Sequence, residues 1–356
     1  MKSFPFFLGL LVLITSACDK QDNASGGESS LGSKRNFRLV SQQNSAAPII
    51  GETLIWLSEG IREVSGGNLN FKAYDPDMLV GALEVLDAVS SGKVEAGYGS
   101  CGFWMGQIPS APLFAAVPFG PDAAEYLSWF YYGNGMKLYQ EMYDTHNFNV
   151  KVILCGILPP ETSGWFANEI TSVEQFQGLR MRFFGLGGEI MKKLGVAVRL
   201  LPSGEIYPAL EKGVIDATEF SMPTIDEQLG FYKIAKYNYF PGWHQQATTF
   251  ELIINKDVWN TLSSTQQAII ENVCKANLVK CIAKGEGSQG AAMKRNTERG
   301  VHQVTWSPEM IETFRNAWDE VVKEKVEQDP FFKKVWEVVS AFRKEYREWS
   351  SRAYLR

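Results

Sequence analysis

The chain has 356 residues, of which 45% are hydrophobic and 21% are charged, which is ordinary for a globular protein with room for two cores. Its net charge of −5 argues against nucleic acid or an anionic membrane surface as a partner, because both select for basic patches. A small anionic ligand stays compatible with this charge, since one buried arginine can hold a carboxylate inside an acidic protein.

The N-terminus has the features of an export signal. Lys2 precedes a short apolar stretch and then small residues, so we expect residues 1–17 to be a secretory signal peptide. The sequence TSAC ending at Cys18 resembles a lipobox, which predicts a periplasmic protein anchored to the inner membrane through an acylated Cys18. Plain secretion with an unmodified Cys18 is the alternative. The polar residues that follow predict a flexible tether over 18–35.

Short strands alternate with amphipathic helices through most of the chain. The first series of elements consists of strands at 37–40, 69–74 and 94–98 and helices at 51–64 and 81–91. The second series consists of strands at 151–154, 164–167, 179–184 and 214–218 and helices at 187–194 and 205–212. Such alternation with short connections indicates parallel sheets and the α/β class.

The two series resemble each other where a helix, a capping glycine and a short strand follow in turn, at Gly92 and again at Gly213. Any βαβ unit can give this pattern, and the alternative is a pair of similarly built lobes that face each other. Ligands of open α/β sheets bind beyond the carboxyl ends of the strands. This rule selects residues 98–100 from one lobe and 219–220 from the other.

The C-terminal part is predicted to be helical, with long helices at 310–328 and 330–349. The last helix carries an apolar stripe of five residues: Phe332, Val335, Val338, Phe342 and Tyr346. Such a stripe covers either the protein's own core or a second subunit. Core is the more common role of such a stripe, and its place in a terminal helix adds weight to a dimer contact.

Four cysteines follow Cys18, namely Cys101, Cys155, Cys274 and Cys281. Cys274 and Cys281 are seven residues apart on a predicted helix, about 10 Å along its axis, which is too far for a disulfide. Cys101 and Cys155 either pair in the oxidising periplasm or stay buried as free thiols. The cysteines and the three histidines show no metal-ligand spacing.

The sequence gives little support for an enzyme. A nucleophile needs a positioned base beside it, and only His244 lies in a segment dense with candidate functional residues. The glycines at 185–188 lack the complete dinucleotide-binding motif. We therefore predict a binding protein without catalytic residues.

Two arginines lie on one face of the strand predicted at 179–184. Arg180 is interpreted as a solvated edge residue. Arg182 stands nearer the carboxyl end of the strand, before a glycine-rich turn, where its planar guanidinium can meet a carboxylate in a dry cleft.

Several motifs in one order resemble a single family. They are PPETSGWF at 159–166, GLRMR at 178–182, ALEKGVIDATE at 209–219 and PGWH at 241–244. The chain is similar from about residue 36 to 350 to the DctP-type substrate-binding subunits of TRAP transporters, and most similar to the branch that binds 2-oxo acids and lactate. The resemblance implies a periplasmic-binding-protein-like fold, with two α/β lobes around a cleft, hinge strands and long C-terminal helices.

The implied domain boundaries interleave along the chain. The first lobe is expected to comprise residues 36–157 and about 247–305. The second lobe is expected to comprise residues 158–246 and about 306–330. Residues 331–356 form a C-terminal helix that offers the dimer contact.

The resemblance also implies which residues bind. Its substrate site comprises Arg182, Glu161, Tyr98, Trp104 and Phe220. Its metal site comprises Glu161, Glu219, Phe220 and Gln245. Arg182 matches the arginine that pairs with the ligand carboxylate, Glu219 matches the cation-binding acid, and the backbone oxygen of Phe220 is expected to serve the metal. Tyr98 and Trp104 are expected to line the opposite wall.

Glu161 stands where relatives that bind 2-oxo acids carry glutamine. Two carboxylates, one guanidinium and an anionic ligand sum to −2, a charge that is costly to bury. A divalent cation balances it, and oxygen ligands favour Ca²⁺. Na⁺, or a site without metal in which Glu161 faces solvent, are the alternatives.

The resemblance thus implies a transport protein. It would capture a 2-oxo acid such as pyruvate, or a 2-hydroxy acid such as lactate, and deliver it to the small and large membrane subunits of the transporter. A homodimer is expected. The alternatives are a ligand-sensing subunit of a membrane signalling system and a periplasmic enzyme acting on such acids.

Overall fold

The computed structural model describes residues 31–355, which form eleven strands and eleven α-helices. The strands are β1 (Arg35–Ser41), β2 (Leu69–Tyr74), β3 (Ala96–Gly99), β4 (Val150–Leu158), β5 (Gly164–Phe166), β6 (Arg180–Arg182), β7 (Ala197–Arg199), β8 (Ala217–Thr218), β9 (Tyr237–Phe240), β10 (Thr248–Asn255) and β11 (His302–Thr305). The helices are α1 (Ile50–Val64), α2 (Val85–Ser90), α3 (Ala123–Tyr132), α4 (Gly135–Thr145), α5 (Gly185–Lys193), α6 (Ser203–Glu211), α7 (Pro223–Leu229), α8 (Lys256–Asn260), α9 (Ser264–Glu298), α10 (Pro308–Gln328) and α11 (Pro330–Ala353).

The first lobe is built on a sheet with the strand order β2-β1-β3-β10-β4. Strand β1 runs parallel to β2 and β3, whereas β10 runs antiparallel to β3 and β4, so this sheet is mixed. Leu39 and Leu252 are completely buried in its strands, as expected for a sheet covered by helices on both faces.

The second lobe is built on a sheet with the order β11-β9-β5-β8-β6-β7. Strand β6 pairs in parallel with β7 and β8, and β5 runs antiparallel between β8 and β9. The carboxyl ends of β6 and β8 therefore lie side by side, because parallel neighbours end at the same edge. Arg182 and Glu219 lie side by side at this edge.

The two sheets are joined by three segments of chain. They lead from β4 to β5, from β9 to β10, and from β10 through α8 and α9 to β11. Helix α9 packs against β4 and α1 of the first lobe and against α7 of the second. The two-lobe α/β fold predicted from the sequence is thus confirmed.

Several predicted boundaries change. Strand β11 pairs with β9 of the second sheet, so residues 302–305 belong with the second lobe, whereas the sequence analysis assigned them to the first. The helix predicted at 81–91 is a 3₁₀ turn at Ala82–Glu84 followed by the shorter α2. The lobe to which β11 belongs is decided by the strand with which it pairs. The local sequence pattern carries no information about that partner.

The apolar stripe of α11 packs on the protein itself. Phe332 and Val335 are fully buried, Val338 and Phe342 pack partly against the same core, and the helix contacts α3, α4 and α10. The stripe is core rather than a free dimer surface. Residues 331–353 are therefore part of the packed molecule rather than a separate C-terminal segment.

The cysteine predictions need correction. Cys155 of β4 is bonded to Cys274 of α9, while Cys101 and Cys281 are buried free thiols. Both alternatives predicted for Cys155, a bond to Cys101 and a free thiol, are wrong. The long helix α9 lies directly on β4 and brings Cys155 and Cys274 together, although they are 119 positions apart in the chain. The predicted signal peptide, Cys18 and most of the tether lie outside the described residues. Every helix within residues 31–355 is too short or too polar to cross a bilayer.

Candidate functional site

A small cavity lies between the lobes, with a volume of about 30 Å³. Its lining consists of Gln43, Ile50, Ser100, Phe103, Glu161, Arg182, Phe184, Phe220, Ser221, Gln245, Thr248 and Phe250. The first lobe, β10 included, supplies six of them, and the second lobe with its connecting segments supplies the rest. The lining combines aromatic rings with a few buried polar groups, which is typical of small-molecule sites.

Arg182 ends β6 with a fully buried side chain. Its Nη1 donates to the Glu219 carbonyl oxygen at 2.6 Å and to Glu219 Oε2 at 2.8 Å, and its Nε donates to the Leu201 carbonyl oxygen at 3.3 Å. The Phe220 ring centroid lies 5.1 Å from the guanidinium carbon. Nη2 donates no hydrogen bond to any of the described residues. This side of the guanidinium is therefore available to an anion.

Glu219 follows β8 and is completely buried. Its Oε2 accepts hydrogen bonds from Arg182 and, at 3.0 Å, from the backbone amide of Phe184. Its Oε1 has no hydrogen-bond partner within residues 31–355. Burial is the largest single influence and raises the pKa of this carboxyl, but the charge of Arg182 and the smaller effects of His244 and the Phe184 amide together hold the pKa below its usual value. Glu219 is therefore the ionised carboxylate of the site.

Glu161 lies in the segment from β4 to β5 and is also buried. Its Oε1 accepts hydrogen bonds from Thr248 Oγ1 at 3.0 Å and from Ser221 Oγ at 3.4 Å. Its Oε2 has no partner in the described part of the chain. Burial, and then the neighbouring charge of Glu219, raise the pKa of Glu161 well above its usual value. The site thus has one carboxyl poised to ionise when a positive charge arrives.

Gln245 is oriented by the same network. Its Nε2 donates to Thr248 Oγ1 at 2.7 Å, and Thr248 in turn donates to Glu161. The amide oxygen of Gln245 is buried and has no partner among residues 31–355. The hydrogen bond to Thr248 therefore turns the amide nitrogen of Gln245 toward that hydroxyl and leaves the amide oxygen free to bind a cation.

A buried cluster of possible metal ligands adjoins the cavity. Glu161, Glu219 and His244 each offer one ligand atom, and these atoms lie within 4.8 Å of one another. The unpartnered oxygens of the two carboxylates and of Gln245 are the hard donors that Ca²⁺ and Na⁺ prefer. The residues present fit a cation. The predicted role of the Phe220 backbone oxygen stays a prediction, while its ring forms part of the cavity wall.

Tyr98 and Trp104 do not line the cavity. The Tyr98 ring stacks on Phe250 at 5.9 Å and lies in the core behind it. Trp104 Nε1 donates to the buried Glu251 at 3.1 Å. Tyr98 points into the core from within β3, whereas Ser100 follows the last residue of that strand and reaches the cavity.

Sequence reasoning missed several wall residues on the first lobe. Thr248 and Phe250 line the cavity from β10, whereas Thr249 and Glu251 face away from it and bond the core of the first lobe. Gln43 follows the carboxyl end of β1, where the rule for α/β sheets could have found it. By contrast, the predicted exposure of Arg180 is confirmed, and its side chain pairs with Asp216, although β6 lies between β8 and β7 and is not an edge strand.

A larger cavity of about 470 Å³ lies on the second lobe around Phe166, Leu210 and Ile215. Within residues 31–355 its lining includes no buried polar atom that lacks a partner. The small interlobe cavity, with its unpartnered buried oxygens, is therefore the candidate site.

The chain as a whole is similar to known solute-binding proteins. Residues 40–329 match the profile of the bacterial extracellular solute-binding proteins of family 7, DctP. The chain is 34% identical over 330 residues to the monocarboxylate 2-oxoacid-binding periplasmic protein of Nostoc sp., covering 93% of this chain and 90% of that one.

Two solved structures of TRAP periplasmic solute-binding proteins are also similar. One, from Pseudoalteromonas atlantica, contains sodium and pyruvate, with 30% identity, a TM-score of 0.86 and coverage of 90% of this chain and 97% of that one. The other, from Colwellia psychrerythraea, contains calcium and pyruvate, with the same identity, TM-score and coverage.

Proposed function

The chain belongs to the DctP family of TRAP solute-binding proteins, and we propose that it captures a small 2-oxo monocarboxylate such as pyruvate together with a bound cation. One observation carries the proposal. The Arg182 guanidinium and the unpartnered oxygens of Glu161 and Gln245 line one cavity between the lobes, and the unpartnered oxygen of Glu219 lies beside them. A ligand carboxylate would pair with the guanidinium, and a cation would bind to the oxygens.

Arg182 provides the anion side. Its Nη2 edge donates to the ligand carboxylate while Nη1 stays bonded to Glu219, so the arginine serves ligand and protein at once. The cavity of about 30 Å³ is far below the roughly 300–1,000 Å³ of pockets for drug-sized ligands. Such a cavity favours acids of few heavy atoms, such as pyruvate or lactate, over longer ones.

The cation side follows from charge. Glu161, Glu219 and an anionic ligand against Arg182 leave a net −2 in a buried site, and Ca²⁺ neutralises it. Na⁺ leaves one negative charge unless Glu161 keeps a proton, which its raised pKa makes easier. Relatives contain either calcium or sodium with pyruvate, and the second carboxylate favours Ca²⁺ here.

The ligand stabilises the closed form because it contacts both lobes. Closure also brings Phe103 of the first lobe to 4.7 Å from Phe184 of the second, and Gln228 Nε2 to 3.1 Å from the Ala46 carbonyl oxygen. The closed form then docks on the small and large membrane subunits, which carry the acid across the inner membrane.

The proposal also covers where the protein acts and whether it forms a dimer. Proteins of this family act outside the cytoplasmic membrane. Anchoring through an acylated Cys18 stays a prediction, which the intact mass of detergent-extracted protein tests. A homodimer also stays a prediction, which sedimentation analysis tests. The apolar stripe of α11 does not support a dimer, because it packs on the protein's own core.

Calorimetric titration of the intact protein with pyruvate tests the function. After dialysis against EDTA, pyruvate should bind weakly, and added Ca²⁺ should restore binding. Arg182→Ala should weaken binding by about 2–5 kcal/mol, because the ligand charge is then buried unpaired. Arg180→Ala is the matched control, since this exposed arginine lies two residues away on the same strand.

Two results would contradict the proposal. Pyruvate affinity of Arg182→Ala within threefold of the wild type would refute the ligand pose. Equal ligand-induced thermal stabilisation with and without EDTA would refute the divalent cation. The EDTA comparison uses wild-type protein, so it stands even if the arginine variant folds poorly.

A further inference from the structure

His244 is a buried imidazole whose two nitrogens both lack a hydrogen-bond partner among residues 31–355. Its exposure is only 1%. A buried polar ring without partners costs free energy, so such a group points to an occupant that the protein atoms alone do not supply. The proposed role of Arg182 and the carboxylates leaves this imidazole unused.

The ring lies beside the proposed cation site. His244 Nε2 is 3.6 Å from Glu219 Oε1, which is too long for a hydrogen bond. Two ligands at right angles around a cation, each about 2.1–2.4 Å from it, lie about 3.0–3.4 Å apart. The separation of nitrogen and oxygen is close to that of two ligands sharing one ion. Glu161 also offers an atom within 4.8 Å of both.

The surroundings hold the imidazole in place. The Phe183 ring lies edge-on at 4.9 Å and the Trp243 ring at 5.5 Å. Gly187 makes room on the third side, because a Cβ there would lie 2.9 Å from the His244 Cβ. A ring packed this tightly is preorganised to bind an ion rather than free to turn away.

We propose that His244 is a nitrogen ligand of the cation and that the site consequently accepts divalent transition-metal ions such as Mn²⁺ as well as Ca²⁺. The proposal rests on the cation site described under the proposed function. Carboxylates and an amide oxygen alone favour Ca²⁺, whereas an added imidazole increases affinity for transition metals. His244 is thus a residue that sets which cation accompanies the organic acid.

Pulsed electron paramagnetic resonance of bound Mn²⁺ tests this directly, because it detects a directly coordinated nitrogen. The metal-free protein is loaded with Mn²⁺ and pyruvate, alongside His244→Gln and the control His302→Gln. His302 is exposed, on the edge strand β11, with its ring against Tyr237. We expect nitrogen coupling in the wild type and in the control, and its loss in His244→Gln.

Titrations with each metal complete the test. In His244→Gln the affinity for Mn²⁺ should fall at least tenfold, while the affinity for Ca²⁺ changes only a few-fold. Mn²⁺ without nitrogen coupling in the wild type overturns the proposal, as does coupling that persists in His244→Gln. If pyruvate binds with no cation at all, the proposed cation site itself fails. If pyruvate binds with Ca²⁺ while Mn²⁺ shows no nitrogen, only the role of His244 fails. The wild-type spectrum alone decides the matter should His244→Gln misfold.

Discussion

Replacing Gly102 by alanine tests whether this protein works by closing its lobes. Gly102 lies in the 3₁₀ turn Cys101–Gly106 of the first lobe, against the Phe184 ring of the second. A Cβ at this position would lie 2.3 Å from Phe184 Cζ, more than 1 Å inside the ordinary contact distance of about 3.5 Å. The ring has little freedom to yield, because it packs on Phe103 and its backbone amide bonds Glu219.

The cost falls on the closed state, because the two groups belong to different lobes. Overpacking of this kind costs about 1–3 kcal/mol. The Kd for pyruvate in Gly102→Ala should therefore rise by about 5- to 140-fold, since about 1.4 kcal/mol corresponds to a factor of ten. The melting temperature without ligand should change much less, because the open form avoids Phe184 and only the milder approach of 3.1 Å to Ala115 Cβ in the same lobe remains.

Calorimetric titration measures the Kd, and small-angle scattering measures the ligand-induced compaction, which should shrink. The matched control is Gly106→Ala in the same turn, where an added Cβ meets no atom within 4 Å. If Gly102→Ala binds pyruvate as tightly as Gly106→Ala and compacts to the same size, the inference that closure brings Gly102 onto Phe184 is refuted.

Two buried carboxyls give further predictions. Burial raises the pKa of Glu251 from 4.5 to about 7 although Trp104 and Tyr143 donate to it. The native state therefore holds a proton that the unfolded state loses, and stability falls as the pH rises from about 4.5 to 7, by up to about 3 kcal/mol. In Glu251→Gln this part of the pH dependence should disappear from urea unfolding, and a curve as steep as that of the wild type would contradict the assignment. In Glu161→Gln the site has one negative charge fewer, so Na⁺ should support pyruvate binding nearly as well as Ca²⁺. Titrations in each salt measure the ratio of the two affinities, and an unchanged preference for Ca²⁺ would disprove the charge-balance argument.

The local sequence pattern was enough to predict most of the helices and strands, and the motifs were enough to predict part of the candidate site. Strand β2 at Leu69–Tyr74 has the predicted bounds, and α10 and α11 begin within a few residues of prediction. These segments carry their own periodicity and caps, and such signals act over a few neighbouring residues. The resemblance of several motifs in order supplied Arg182 and Glu219, which the structure brings to the predicted edge of the second sheet.

What the sequence by itself determined is therefore the α/β class, because it depends on contiguous patterns, while the two lobes and the charged residues of the candidate site came from the resemblance of several motifs in order. Only the tertiary structure decided that β11 joins the second sheet, that Cys155 meets Cys274, that Tyr98 points into the core and that His244 faces Glu219. Each of these facts is a contact between residues far apart in the chain. Strand partners and side-chain facing are settled when whole elements pack to bury apolar surface, and no short stretch of sequence records that outcome.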